Sequence, residues 1–562
     1  MTTSTLRIDP PHQPELEYVD SVVNTTGRCN FTLADIAPEI REKLTLRLSN
    51  RILQHQLNAL PRSLHLASQG LSWVLIGGTG TGKAYYTGGL IHELRRHEII
   101  DSTQAVLLVT KAPIVTQTYR VLTKEFGLAD IQAVSYETLR TSLGEMYITW
   151  KTTIGLDGHP RVTPIWCPPE ESGISMIICD ECQALKNDDS QAAQIIQQAA
   201  LAGYKIVFMS ATPFSRAQHV RTIALSLKPI IKIGNARFRL DNNSYPAWLR
   251  TITDNPAQWD SADMKRVCKA LEEQIIRFEN VRFAHMFKIR QIVIPFASPE
   301  HRRIYDEAFA EYQAIRLQQG RDTLTGFAAV LVALRKFNQK AELLRAEYLA
   351  KSAFQCVNSK KRPVNAIIAC NFLDTIFVAE KALLRLGVSP DNISIIKGGQ
   401  SAKDRQINID RFNNEKTRYM ILSFGAGGAG LSLHHTPNKK YPSEIFLPPV
   451  WNSEDLVQVL GRAHRINSQS TTYQNLIWFA DTMEERIADK VKTKCAALKE
   501  VVGANERWVM AMDNSGELRS AHQVNISQLR DADEEDGESE VSEELLESCG
   551  GNANATTHQL II

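Results

Sequence analysis

The sequence predicts an α/β protein in which a helical connector joins two lobes, each built on a parallel sheet. Short apolar runs alternate with helical stretches in two separate blocks of the chain, and the segment between the blocks is mainly helical in pattern. A glycine-rich loop follows the first apolar run. Apolar runs that are this short and lack strict alternation are typical of strands buried on both faces of a parallel sheet.

The composition is that of a globular protein. Hydrophobic residues make up 43% of the chain and charged residues 22%. No run of about 18 apolar residues predicts a membrane span, and the N-terminus lacks the apolar core of a secretory signal. The nine cysteines, an odd number spread over 562 residues, do not indicate a disulfide framework. We therefore expect an intracellular protein of a reducing compartment, with no membrane partner.

The charge is distributed unevenly along the chain. Residues 531–562 contain ten acids and no lysine or arginine, so residues 1–530 carry a formal net charge of +12 although the whole chain carries +2. A basic body is compatible with a polyanionic partner, and it also fits a surface that is merely well solvated. The end of the chain, 499–562, is predicted to be a tail that is disordered in its acidic part from residue 531.

Residues 60–228 are predicted to form the first lobe. Residues 1–59 precede it as an irregular arm followed by helices. Helical stretches between the apolar runs of this lobe make βαβ units. The runs expected to be strands are 71–76, 105–110, 174–179 and 205–210.

Residues 361–498 are predicted to form the second lobe, because the alternation of strands and helices returns there. Residues 229–360 form the predicted helical connector, with one strand-like piece at 290–297. The strands expected in the second lobe are 365–370, 392–397, 418–423, 443–448 and 474–479.

A phosphate-binding loop is predicted within LIGGTGTGKAYYTGG at 75–89. It follows a buried strand and opens a helix, so its backbone N–H groups would face a phosphate, and Lys83 would contact the β- and γ-phosphates. Ala84 stands where such loops carry the Ser or Thr hydroxyl that binds magnesium. Thr81 and Thr87 are nearby hydroxyls that could replace it. The loop residues expected at the nucleotide are Gly78, Thr79, Gly80, Thr81, Gly82, Lys83 and Ala84.

Two adjacent acids, Asp180 and Glu181, follow the apolar run ISMIIC. Delivering two carboxylates at the end of a buried strand is costly unless they are used. In a nucleotide hydrolase the first holds Mg²⁺ through water and the second orients the attacking water. Cys179 and Cys182 form a C-x-x-C pair, but no second pair lies at zinc spacing, so we expect no zinc site.

These strings together resemble the DExH-type ATPases of helicase superfamily two, most closely the Swi/Snf-type DNA translocases. The resemblance covers most of residues 50–495 and implies two RecA-like lobes around a nucleotide cleft. It also implies ATP and Mg²⁺ as cofactors and a nucleic-acid partner, expected to be duplex DNA. The strings are GTGTGKA (78–84), AVSYETLR (133–140), DECQALKN (180–187), MSATP (209–213), IIKGGQSAKDRQINIDRFNN (395–414), SFGAGGAGLSLHH (423–435), WNSEDLVQVLGRAHRINSQS (451–470) and TMEERIADKV (482–491).

The resemblance also implies individual roles. Arg462 and Arg465 would reach the γ-phosphate from the second lobe as arginine fingers, and Gln458 would help to sense the nucleotide. Gln56, in LQHQ, would read adenine. The residues expected to couple the acids to the bound strand are Gln183, Ser210, Thr212, Gly428 and Gly430. The residues expected to contact nucleic acid are Thr110, Lys111, Ser135, Tyr136, Lys397, Gly398 and Ser423.

The sequence leaves several functions open. The first is an ATP-dependent translocase that Ala84 slows, with Gln183 in place of the histidine of the usual acidic string. The second is a nucleotide-dependent DNA clamp without turnover. Others are a helicase that separates DNA or RNA strands and a genome-handling or termination ATPase of a virus. Lys83, the two acids and the two arginines favour a working ATPase.

Overall fold

The computed structural model describes residues 52–484, apart from 142–146, 155–159, 234–235, 257–259, 280, 282, 284, 286, 319–323, 428–430 and 450–452. The predicted N-terminal arm as far as residue 51 and the predicted tail lie outside the described residues. Within the described part of the chain, no helix is both long and apolar enough to cross a membrane.

The first lobe, lobe 1, is built on a six-stranded sheet in which all neighbours are parallel. The strand order is β10-β1-β7-β6-β2-β3. The four predicted strands are confirmed as β1, β2, β6 and β7, and nearly every residue of these strands is buried. The strands are β1 (Trp73–Ile76), β2 (Ala105–Thr110), β3 (Ile131–Ser135), β6 (Ile174–Asp180), β7 (Ile206–Ser210) and β10 (Ile275–Arg277).

The second lobe, lobe 2, repeats this design with a second all-parallel sheet of six strands. Its order is β11-β16-β15-β12-β14-β13, and all five predicted strands are confirmed. The strands are β11 (Phe287–Ile294), β12 (Asn365–Cys370), β13 (Ile393–Ile396), β14 (Tyr419–Ser423), β15 (Ser443–Leu447) and β16 (Thr472–Phe479).

Helices connect the strands and cover the sheets. They are α1 (Gln54–Ser68), α2 (Lys83–Arg96), α3 (Ala112–Arg120), α4 (Tyr136–Leu139), α5 (Pro169–Ser172), α6 (Gln191–Leu201), α7 (Arg221–Leu227), α8 (Tyr245–Ile252), α9 (Ser261–Ala270), α10 (Pro299–Gln318), α11 (Leu324–Val357), α12 (Leu373–Arg385), α13 (Ala402–Asn413), α14 (Phe424–Gly427) and α15 (Ser453–Ala463). Two antiparallel hairpins, β4 (Ile148–Ile154) with β5 (Pro160–Trp166) and β8 (Ile230–Ile233) with β9 (Ala236–Arg239), stand outside the sheets.

The segment 229–360 needs a correction, because it is not only a helical connector. It contains α8 to α11, yet β10 from the same segment pairs with β1 of lobe 1, and β11 pairs with β16 of lobe 2. The predicted boundary at residue 229 therefore falls inside lobe 1, and lobe 2 begins before residue 361. Strand β10 has only three residues, too few for a period to be read from the sequence.

The functional strings of lobe 1 lie at one edge of its sheet. In lobe 1 the strands end in register, with Ile76 beside Ser210 and Thr110 beside Ser135. Since the strands are parallel, their carboxyl ends gather at a single edge, and ligands in such sheets bind at that edge. The fold thus brings together residues that are far apart in sequence.

Candidate nucleotide site between the lobes

The phosphate loop joins β1 to α2 in a conformation that suits an anion. Gly80 and Gly82 have φ angles of +75° and +81°, which orient successive N–H groups toward the same side. The Thr81 hydroxyl donates to the Gly78 carbonyl at 2.7 Å and so tightens the turn. The loop is thus a preformed cradle at the N-terminus of a helix.

Lys83, the first residue of α2, points back across this cradle. Its Nζ donates to the Gly77 carbonyl at 3.2 Å and lies 4.0 Å from Oε1 of Glu181. The amine therefore sits between the loop and the end of β6, where a phosphate held by the loop would meet it.

Gln56, on α1, binds the backbone of the phosphate loop. Its Nε2 donates to the carbonyls of Thr81 and Gly82 at 2.8 and 3.0 Å, and its Oε1 accepts from the Leu53 amide at 2.8 Å. Both hydrogens of the side-chain amide are thus used and the side chain is buried. The side chain of Gln56 thus fixes the loop backbone, and its predicted contact with adenine stays a prediction.

Asp180, the last residue of β6, carries a carboxylate whose two oxygens differ. Oδ2 accepts from the Thr110 hydroxyl at 3.4 Å, whereas Oδ1 is buried and has no hydrogen-bond donor among the described residues. Burial raises the pKa of Asp180 to about 6, and the neighbouring charge of Glu181 adds to this effect. A buried carboxylate oxygen that lacks a partner fits a hydrated cation such as Mg²⁺.

The pKa of Glu181 is shifted in the opposite direction. Although its burial acts to raise the pKa, the positive charges of Lys83 and Lys111, together with others nearby, hold the pKa of Glu181 below its usual value. Its φ angle of +53° places it in the left-handed region, which few residues other than glycine adopt. The side chain is therefore ionised at neutral pH and is turned toward Lys83.

A chain of hydrogen bonds links Glu181 to the end of β7. Gln183 Nε2 donates to Glu181 Oε2 at 2.6 Å, and the Ser210 hydroxyl donates to Gln183 Oε1 at 2.6 Å. The Thr212 amide in turn donates to the Ser210 hydroxyl at 2.9 Å. The structure thus brings together three of the residues predicted for coupling. Gly428 and Gly430 lie outside the described residues.

Lobe 2 forms the opposite wall of this site. Gln458 Nε2 donates to Glu181 Oε2 at 3.5 Å, and the Ile466 amide donates to the Gly80 carbonyl at 3.3 Å. A Cβ atom added to Gly80 would lie 3.0 Å from the side chain of Arg465. The second lobe therefore touches the phosphate loop directly.

Arg462 and Arg465 both belong to this wall. Each donates to the Leu431 carbonyl, Arg465 at 2.6 Å and Arg462 at 3.4 Å. Burial lowers the pKa of Arg462 to about 9 and that of Arg465 to about 10, and the charge of Glu181 acts in the opposite direction for both. Both side chains are still charged at pH 7. Two guanidinium groups thus face an amine and two acids across one cleft.

Family models match both walls of the cleft. The DEAD/DEAH box helicase model matches residues 54–220, and the helicase conserved C-terminal domain model matches residues 340–467. The chain is 22% identical to an Acanthamoeba polyphaga mimivirus protein that carries the name of an ATP-dependent RNA helicase, over 87% of this chain and 91% of that protein. It is also 22% identical to the DNA repair and recombination protein RAD54-like of Danio rerio, over 64% of this chain and 52% of that protein.

The chain belongs to helicase superfamily two and is Snf2-like.

This Snf2-like chain is an ATPase of the helicase type, and it therefore uses a nucleotide and acts on nucleic acid. Among solved structures, it is similar to the Sulfolobus solfataricus SWI2/SNF2 ATPase core in complex with dsDNA. That similarity has 14% identity and a TM-score of 0.31, and it covers 83% of this chain and 95% of the other.

Three side chains of the Snf2-like ATPase that were predicted to contact nucleic acid are buried instead. Thr110 donates to Asp180, and the Ser135 hydroxyl accepts from the Thr138 amide at 3.0 Å as the N-cap of α4. The Tyr136 hydroxyl donates to the Asp180 carbonyl at 2.9 Å. Thr110 and Tyr136 therefore support Asp180, whereas Ser135 caps α4, and the contact of these three residues with nucleic acid stays a prediction.

The other predicted contacts have different surroundings. Lys111 is half-buried and its charge acts on Glu181, so it faces the nucleotide cleft. Lys397 and Gly398 are exposed just after β13, and no atom would contact a Cβ placed on Gly398. Ser423, at the end of β14, is buried. Lys397 and Gly398 therefore remain candidates for a contact with a nucleic-acid backbone.

Two features of the site were not predicted from the sequence. The hydroxyl of Tyr136 supports the backbone of Asp180, which only the register of β3 beside β2 could reveal. A Cβ atom added to Gly461 in α15 would lie 2.7 Å from Cβ and Oγ1 of Thr79 in the phosphate loop. The string GRAHR contains this glycine, but nothing in the sequence shows that it allows the two lobes to approach each other.

Proposed function

We propose that this Snf2-like ATPase is an ATP-driven translocase, with duplex DNA as its expected track. The contact between the two walls of the cleft carries this proposal, because Arg465 lies against Gly80 while Gln458 reaches Glu181. A triphosphate bound between these walls would join them, and hydrolysis would release them. Alternate closure and opening, while loops of both lobes hold phosphates, moves a protein along a strand.

The roles of the site residues follow from their positions. Lys83 would hold the β- and γ-phosphates, Glu181 would orient the attacking water, and the guanidinium groups of Arg462 and Arg465 would stabilise the charge on the transferred phosphoryl group. Asp180 would hold Mg²⁺ through water, and the bound ion would neutralise charge on the phosphate oxygens. The buried Oδ1 of Asp180 supports this assignment, since it has no donor among the described residues.

Duplex DNA is the expected polymer because the RAD54-like relative is named for DNA repair and recombination. A second candidate, a helicase acting on RNA, is favoured by the name of the mimivirus relative, of which this chain covers 91%. A third, a clamp that binds DNA without turnover, is favoured by Ala84, which offers no hydroxyl to magnesium.

The test is the rate of ATP hydrolysis without polymer and with single-stranded DNA, duplex DNA or RNA, each compared with a Lys83→Ala control. Stimulation by duplex DNA is the expected result. Stimulation by RNA alone would instead support the RNA helicase. Rates that never exceed those of the control would support the clamp.

Translocation itself needs a second measurement. A chain that moves along duplex DNA should displace a third strand paired in the major groove, in an ATP-dependent manner and without separating the duplex. Separation of a tailed duplex would favour a strand-separating helicase.

A further inference from the structure

A band of positive charge lies at the amino edge of the lobe 2 sheet, opposite the carboxyl edge at which Lys397 and Gly398 follow β13. It comprises residues in the first half of a strand or in the loop just before a strand. We name it the amino-edge patch. Its members are Lys288, Arg290, Lys360, Lys361, Arg362, Lys416, Arg418 and Lys440.

The sheet register places these residues side by side. Phe287 of β11 is opposite Thr472 of β16, and Asn365 of β12 is opposite Ser443 of β15. The patch spans five strands in the order β11-β16-β15-β12-β14. Four spacings of about 4.8 Å make the band roughly 19 Å long.

Two tyrosines order the cations of the patch. The ring of Tyr473 lies beneath Arg290 and Arg362, whose guanidinium carbons are 3.5 and 4.4 Å from its centroid, and Lys288 Nζ lies 6.0 Å from it. The ring of Tyr441 is 4.0 Å from the guanidinium carbon of Arg418. Cations stacked on aromatic faces are held in place at little cost in solvation.

The acids of this edge offset only part of the positive charge of the band. Glu444 is buried and is paired with Arg362. Glu415 accepts hydrogen bonds from the Asn365 side chain at 2.9 Å and the Tyr441 amide at 3.0 Å, so its carboxylate is bound to residues at the start of β12 and before β15. Asp391 is exposed but precedes β13, outside the five strands. The lysines remain exposed above these acids.

We infer that the amino-edge patch binds the phosphate backbone of a second segment of nucleic acid, separate from the segment expected at Lys397 and Gly398. A row of roughly 19 Å equals the length of helix axis over which one strand of a duplex presents about five or six phosphates, at about 3.4 Å of axis per phosphate. The tyrosine rings are covered by cations and cannot stack on bases, so the contact is independent of sequence. The inference rests on the proposed action on nucleic acid.

The experiment compares two quadruple variants of the full chain. The patch variant carries Lys288→Ala, Lys360→Ala, Lys361→Ala and Lys440→Ala. The control variant removes the same charge from exposed lysines elsewhere and carries Lys265→Ala, Lys269→Ala, Lys336→Ala and Lys381→Ala. Anisotropy of a fluorescent duplex gives the affinity between about 50 and 200 mM salt. Thermal unfolding checks that each variant is folded.

The patch variant should bind the duplex at least about tenfold more weakly at the lowest salt, with a log–log salt slope reduced by about 2 to 4, since each lost phosphate contact removes about 0.9. The control variant should keep the original slope. Replacing the same four patch lysines by arginine should also keep it. Equal slopes for the patch and control variants would overturn the inference.

Two further results distinguish this inference from binding of the acidic tail by the patch and from the proposed translocase function. If neutralising the patch and deleting 531–562 both tighten duplex binding, and do so non-additively, the patch binds the chain's own acidic tail and the inference is wrong. If no polymer stimulates ATP hydrolysis while the salt slope of duplex binding is still smaller for the patch variant, the proposed translocase function is wrong. In that case the inference that the patch binds nucleic acid is supported.

Discussion

At the scale of single residues, the hydroxyl groups near Ala84 decide how magnesium is held. The Thr81 hydroxyl donates to the Gly78 carbonyl, and the Thr87 hydroxyl donates to the Lys83 carbonyl at 3.0 Å. Both alternative hydroxyls are therefore engaged in backbone contacts. These bonds use the hydroxyl hydrogens and leave the oxygen lone pairs, so either a water molecule or one of these oxygens would take the position of the missing ligand, which magnesium tolerates.

The variant Ala84→Thr should therefore raise the rate of ATP hydrolysis. If the missing ligand costs about 1.4–4 kcal/mol in the transition state, the gain is about tenfold to a thousandfold. Ala84→Val is the matched control, because valine has the shape of threonine without its hydroxyl. A variant Ala84→Thr that is no faster than Ala84→Val would show that the hydroxyl is not what limits turnover.

Lys439 is an ammonium group buried in lobe 2. Its Nζ donates to the Leu433 carbonyl at 3.0 Å and lies 4.6 Å from the ring of Phe412, and burial lowers the pKa of Lys439 to about 7 even though the charge of Glu415 acts to raise it. The unfolded value is about 10.4. The unfolded chain therefore binds more protons between these values, and stability rises with pH across that window.

The variant Lys439→Met removes this titration. Its melting temperature should exceed that of the wild type most near about pH 6, where the buried charge costs the wild type up to about 5 kcal/mol. The difference should become smaller toward about pH 9. Calorimetry at the two pH values checks the trend. A difference in melting temperature that is independent of pH would show that Lys439 is not a buried cation.

At the scale of elements, the contact between α15 and the phosphate loop explains why Gly461 has no side chain. The variant Gly461→Ala adds a Cβ atom 2.7 Å from Thr79, so the closed cleft would be strained by about 1–3 kcal/mol. The ATPase rate should then fall by about tenfold to a hundredfold. Alanine favours a helix interior by about 1 kcal/mol, so lobe 2 itself should not lose stability.

The double variant Gly461→Ala, Thr79→Gly tests the cause of that loss. Removal of the Thr79 side chain eliminates the clash, so part of the activity should return in the same ATPase assay. No recovery would indicate that Gly461 acts elsewhere than at the phosphate loop.

The end of β3 supports the acids through Tyr136. The variant Tyr136→Phe removes the hydrogen bond to the Asp180 carbonyl, which is worth about 1 kcal/mol. We expect a higher magnesium concentration at half-maximal ATPase rate and an unchanged affinity for duplex DNA. A loss of DNA affinity with a normal magnesium requirement would instead support the predicted contact of Tyr136 with nucleic acid.

Elements with a strong local signal were predictable from the sequence. The nine buried strands were visible as apolar runs, and the loop from Gly78 to Lys83 was visible by its spacing. Strand β10 was missed because it is too short to show a period. The hydrogen bonds of Thr110 and Tyr136 with Asp180 were not predicted, because the sequence does not show which side of the sheet edge a strand end faces. Tertiary pairing alone brings them beside Asp180.

At the scale of the whole molecule, a shared cleft lies between the carboxyl edge of the lobe 1 sheet and the end of α15 in lobe 2, which packs at the amino end of β16. The contacts of Gln458 with Glu181 and of Ile466 with Gly80 cross that cleft. A change at one phosphate can therefore reach both lobes. The excess of positive charge lies in residues 1–530, whereas residues 531–562 contain ten acids and no lysine or arginine.

This separation of charge leads to a prediction about the acidic tail. The ten acids of 531–562 offset most of the +12 carried by residues 1–530 and would compete with DNA for the basic body. A chain that ends at residue 530 should bind duplex DNA more tightly at low salt. The advantage should disappear as salt increases, because the Debye length shortens from about 30 Å at 0.01 M to about 8 Å at 0.15 M.

Changing the ten tail acids to their amides separates charge from chain length. If the tail competes electrostatically, this full-length variant should match the truncated chain at every salt concentration in a duplex-binding titration. Tighter binding by the truncated chain alone would mean that the tail obstructs DNA by its bulk. An affinity that neither change alters would show that the tail does not compete with DNA, and the basic body would then be fully available to nucleic acid in the intact protein.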